Sequence, residues 1–134
     1  MLPAFSTDCL HIVYRPDLDQ LAGRWLRSIS EAELQQGYAA LLHAARHHNC
    51  RHWLIDSRRR TNRSLNGPEW IVTDYLPRVQ AELGGTLCAC FLVLPAYLSA
   101  LGDSAPPDPH SPVQFARFVD EGEANAWLAA QQAR

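Results

Sequence analysis

Leu87-Cys88-Ala89-Cys90-Phe91-Leu92-Val93-Leu94 is continuously apolar. A run this short does not reach the ~18 apolar residues of a membrane span, and it lacks the polar alternation of a strand with one wet face. It predicts a strand covered on both sides, the middle of a sheet of the α/β kind. Upstream of it, Gly67-Pro68 opens a segment in which Ile71, Tyr75, Val79 and Leu83 recur every four residues, an amphipathic helix that Gly84-Gly85 ends. Pro77 falls inside this helix. Its missing N–H predicts a kink near Thr73–Asp74 or a helix that restarts after Leu76.

Further upstream, His52-Trp-Leu-Ile-Asp56 reads as a strand entering the core, followed by the polar loop Ser57-Arg-Arg-Arg-Thr-Asn-Arg-Ser-Leu-Asn-Gly67. Ser30 and Glu33 form a capping box, and Leu34, Tyr38, Leu41, Leu42 and Ala45 follow at helical spacing to about Asn49. Before that helix, Cys9–Arg15 and Leu21–Arg27 alternate with strand period around a Pro16-Asp-Leu-Asp-Gln20 loop, which predicts a β-hairpin. Downstream of the apolar run, a short helix is expected around Ala96–Leu101 and a Pro-rich exposed loop follows it. Val113–Val119 alternates as a last strand, and Asp120 with Glu123 caps a final helix carrying Ala124, Trp127 and Leu128. The order ββαβαβαβα predicts an α/β domain with a mixed, mostly parallel sheet of about five strands and flanking helices.

The chain has 134 residues, 47% of them hydrophobic, and a formal net charge of −2, which describes a single domain at residues 1–134 able to bury an ordinary core. This excludes a multidomain machine and a disordered chain. All 12 basic side chains are Arg. The amino terminus lacks the basic start and apolar run of a secretory signal, so a cytoplasmic location is expected. Cys9, Cys50, Cys88 and Cys90 show no CxxC spacing, so reduced, buried thiols are expected and no cofactor is implied.

LAGRWL, the capped helix, WLIDSR, the helix carrying EW and then YLPR, the strand ending in LVLP, and ARFVDEGEANAWL together resemble the STAS-like family. This is the SpoIIAA-like fold of bacterial anti-sigma factor antagonists, and the resemblance runs over nearly the whole chain. It implies a STAS-like domain with a non-enzymatic regulatory or protein-interaction role. In the antagonist branch, a Ser or Thr in the loop before the second long helix is phosphorylated by a partner kinase. In the corresponding place this chain reads SRRRTNRSLNGPE, which makes Thr61 and Ser64 the candidate hydroxyls.

Arg46, Arg51, Arg58, Arg59, Arg60 and Arg63 face a single acid, Asp56, between residues 46 and 63 of an otherwise acidic chain. The loop carrying Arg58, Arg59, Arg60 and Arg63 follows a strand's carboxyl end and precedes a helix, where open α/β sheets bind ligands. With Trp70 in the next turn, these residues are the candidate binding surface for an unidentified protein partner. The alternative is an anion or lipid-headgroup module using the Arg58–Arg63 loop, and homodimerisation is left open. Nucleic acid is not expected, because the pI near 6.3 and a loop without aromatics do not supply a broad basic face. His47, His48, Cys50 and His52 lack a metal-ligand spacing, so no metal is expected. Asp17/Asp19 and Glu121/Glu123 read as loop and helix-dipole acids, and with no Gly-x-Ser-x-Gly elbow or phosphate loop no catalytic residue is assigned.

Overall fold

The computed structural model describes residues 5–59, 71–96 and 108–132. Its sheet has six strands: β1 (Phe5–Ser6), β2 (Leu10–Arg15), β3 (Gln20–Trp25), β4 (His52–Asp56), β5 (Leu87–Leu92) and β6 (Val113–Phe118). They lie side by side in chain order, antiparallel from β1 to β3 and parallel from β3 to β6. The mixed, mostly parallel α/β sheet expected from the periodicity is therefore present, with the two-residue β1 added at one edge. The hairpin's second strand stops at Trp25, short of Arg27, because Arg27 leaves the ladder to bind Ser28, Asp8 and Glu33. The apolar run forms β5 only as far as Leu92. This strand is interior but next to last, so it is not the middle of the sheet; continuous burial marks coverage on both faces and carries no rank order.

Helix α1 (Glu31–His48) starts on the capping box, with Ser30 Oγ accepting the Glu33 N–H and a Glu33 oxygen accepting the Ser30 N–H. It ends at Asn49, which takes the left-handed conformation at φ 50°. Pro77 acts as its chemistry requires. The chain widens into a π-helical turn over Ile71–Tyr75, then α2 (Leu76–Leu83) restarts with Pro77 in its first turn, where no N–H is needed. Helix α3 (Glu121–Gln132) begins where Asp120 accepts the Glu123 N–H at 3.0 Å. The chain beyond Ala96, where a short helix was expected, lies outside the described residues as far as Pro107.

Strand period assigns the two faces. Leu10, Ile12, Leu21, Trp25, Trp53, Ile55 and Ala89 pack with Tyr38, Leu41, Tyr75 and Val79 under α1 and α2. Ala22, Leu54, Cys88, Cys90 and Leu92 pack on the opposite face against Ala124 and Leu128 of α3. Trp25 and Trp53 are buried as expected, whereas Trp127 is half-buried, its ring tilted against Phe118 at 6.2 Å. All four cysteines are buried and unbridged. Among the described residues, no helix is long and apolar enough to cross a membrane.

Candidate functional site

Because β3, β4, β5 and β6 are parallel, their carboxyl ends share one edge of the sheet. Arg24 is the penultimate residue of β3 and Asp56 the last of β4, and the register places them opposite one another. Alternation points both toward the α3 face, beyond Ala22 and Leu54. Glu121, the first residue of α3, reaches the same edge after the chain has passed through β6.

These groups close into a charge network. Asp56 Oδ1 accepts the backbone N–H of Arg58 at 3.1 Å and its Nε–H at 2.9 Å. Asp56 Oδ2 accepts from Arg58 Nη2 at 2.8 Å and from Arg24 Nη1 at 2.9 Å. Arg24 also grips Glu121 with two N–H groups, Nη1 to Oε1 at 2.9 Å and Nη2 to Oε2 at 3.0 Å, a bidentate fork. Arg58 Nη2 adds a longer contact to Glu121 at 3.4 Å. Two guanidinium groups thus balance two carboxylates. Burial alone would raise the Asp56 carboxyl, but the hydrogen bonds and charge of Arg58, with Arg24 behind them, outweigh it and hold Asp56 below the usual carboxylate range. The Arg24 fork does the same for Glu121.

Beside the network lies a recess of about 400 Å³ lined by Arg24, Trp25, Leu26, Asp56, Arg58 and Arg59. Arg58 is half-buried and Arg59 exposed. The chain matches no protein-family model, no curated protein and no solved structure. The site therefore rests on its own chemistry.

Of the expected binding residues, Arg58 and Arg59 stand at this edge, Arg58 turned back onto Asp56. Arg60, Thr61, Arg63, Ser64 and Trp70 lie outside the described residues. The Arg-dense stretch is not one patch. Arg46 pairs with Glu82 at 3.6 Å and Arg51 packs against Gly85, both at the amino-terminal end of β4. The five residues of β4, about 16 Å of strand, separate them from Arg58. Arg24, Asp56 and Glu121 escape a sequence reading because each has an adequate local explanation: an outward strand position, a strand end, a helix-dipole acid. A bidentate partner for Glu121 is a tertiary fact.

The His-rich segment follows packing chemistry. His48 stacks on Tyr14 with ring centroids 3.9 Å apart and a 14° interplanar angle, and Tyr14 donates its hydroxyl to Asp19 at 2.9 Å. That bond to the carboxylate, with burial behind it, pushes the Tyr14 phenol up to about 12. Among the described residues, the ligand atoms that do converge are those of Asp8, Cys9 and Glu33. A guanidinium already serves those acids, since Arg27 Nη2 donates to Asp8 at 3.0 Å and to Glu33 at 2.7 Å.

Proposed function

We propose that the chain is a non-enzymatic regulatory or protein-interaction domain of the STAS-like type, and that its partner docks on the edge where the parallel strands end. One observation carries the reading: both carboxylates at that edge are locked in ion pairs that favour their charged forms. A general acid or base needs a pKa near the working pH. Asp56 and Glu121 are driven the other way, toward fixed charges that tie β3, β4 and α3 together. What this edge offers a partner is a rigid scaffold with an exposed Arg59 at its rim, and in the sequence Arg60 and Arg63 follow. The STAS-like assignment is supported by the hairpin followed by parallel strands and, among the described residues, by α1 between β3 and β4, α2 between β4 and β5, and α3 after β6. The four unbridged, buried thiols fit a reducing compartment such as the cytoplasm.

Affinity capture from cell extract tests the reading, with the parent and Arg59→Glu compared side by side at physiological salt. A protein retained by the parent and lost with the charge reversal supports recognition at this edge. Identical retention by both forms assigns the interaction to another surface and overturns the reading.

A further inference from the structure

The recess at the strand ends has more cationic than anionic lining. Arg24, Arg58 and Arg59 stand against Asp56, and counting the adjacent Glu121 still leaves one net positive charge. Asp56 and Glu121 occupy Arg58 Nε and Nη2 and most of the Arg24 fork, whereas Arg58 Nη1 makes no hydrogen bond among the described residues. Asp56, itself buried, thereby orients Arg58 without using its full donor set, and Arg59 brings five further N–H groups to the rim. Leu26 and Trp25 complete the lining, and because the Trp25 ring is buried with Tyr38 on the other face of the sheet, Leu26 supplies the apolar side chain. A volume of about 400 Å³ lies in the range of small-molecule sites.

We infer that this recess binds a small organic phosphate monoester, its phosphate on Arg58 Nη1 and Arg59 and its apolar portion against Leu26. Planar guanidinium forks suit the terminal oxygens of a phosphate. A free carboxylate offers fewer acceptors to the same donors. The inference rests on the reading that the strand-end edge is the recognition surface, and it deepens that reading by adding a ligand class. Asp56 is a positioning residue here, acting on the ligand through Arg58.

The test is an amide-shift titration of the isotope-labelled protein with phenyl phosphate, inorganic phosphate and benzoate in parallel. Saturable shifts at Leu26, Arg58 and Arg59 with phenyl phosphate, and weaker binding of the other two, are the expected result. Arg58→Gln should weaken phenyl phosphate about tenfold or more, the effect of losing a charge-assisted contact. Because Arg58→Gln also disturbs Asp56, the exposed Arg59→Gln is the second variant and should weaken binding several-fold with the fold intact. Equal binding of benzoate or of inorganic phosphate, or a parent-like affinity in Arg59→Gln, overturns the inference. Co-sedimentation with phosphatidylcholine vesicles only when they contain phosphatidic acid would assign the phosphate to a lipid headgroup and overturn the free-ligand assignment. Loss of phenyl phosphate binding with retained, Arg59-dependent protein capture would refute the ligand and leave the docking edge standing.

Discussion

Arg24 and Asp56 face one another across the β3–β4 ladder, and their side chains meet at 2.9 Å on the side of the sheet that α3 covers. The pair joins two neighbouring parallel strands at their carboxyl ends, and Glu121 extends the link to the start of α3. Asp56 is the buried member, its side chain 11% exposed against 35% for Arg24. Removing the acid therefore leaves two guanidinium groups facing a desolvated gap. Asp56→Ala should cost about 2 to 4 kcal/mol, below the figure for a fully buried pair because both arginines reach solvent. Urea unfolding with an unchanged m-value checks this; a loss under about 0.5 kcal/mol would show that the network does not hold the edge together.

The same network dictates an acid limb of stability. Asp56 and Glu121 have folded-state pKa values below their unfolded ones, so the unfolded chain binds more protons as the pH falls. Their contribution is complete above the unfolded value, about pH 4, and is lost as pH drops through the depressed folded values. Glu33, held at about 2 by the Arg27 hydrogen bonds and the Ser30 N–H, changes in the same direction. Arg24→Met should flatten the stability–pH profile below about pH 4, and an unaltered slope would contradict the assignment.

Gly37 lies on the buried face of α1, where a Cβ would come within 2.2 Å of Trp25 Cη2 and 2.9 Å of Leu10 Cδ2. Alanine there gains about 1 kcal/mol of helix propensity but overpacks a core with no room, at a cost of about 1 to 3 kcal/mol or more. Gly37→Ala should therefore be destabilising on balance, read as a lower melting temperature. A raised melting temperature would mean that α1 sits further from β3 than described.

Much of this architecture is legible in the residues, and its limits are physical. Ser30 with Glu33, the spacing of Leu34 to Ala45, and His52–Asp56 each encode their own element because the determinants lie within one helical turn or one strand. Pro77 announced an interruption, and the π-helical turn at Ile71–Tyr75 followed by α2 is that interruption. The site is different in kind. Arg24, Asp56 and Glu121 are brought together by strand register and by the turn from β6 into α3, contacts between 32 and 97 residues apart that no local pattern records. Closeness in sequence does not carry over either, since Arg46 and Arg51 lie at the opposite end of β4 from Arg58.

The thiols offer a check on the core. Burial pushes Cys50 up to about 11 and Cys90 up to about 12, and Cys88 lies beside Cys90 on the α3 face. Native protein at pH 8 should react with a thiol reagent at least about a hundredfold more slowly than in denaturant, because the thiolate is the reactive form and both burial and pKa suppress it. Rapid modification of Cys50 or Cys90 without unfolding would contradict the packing. Cys90→Asp should abolish soluble expression, since an unpaired buried charge costs several kcal/mol against a total stability of about 5 to 15 kcal/mol.

The non-catalytic reading depends on what Asp56 and Glu121 do as acids. Their side-chain carboxyl carbons can be followed by NMR through a pH titration of the labelled protein. Both should titrate below the ordinary carboxylate range, and Arg24→Met should move Glu121 back up toward about 4.3. A carboxyl at this edge that titrates near neutrality would place a general acid or base beside the recess, and the account of a non-enzymatic recognition edge would be wrong.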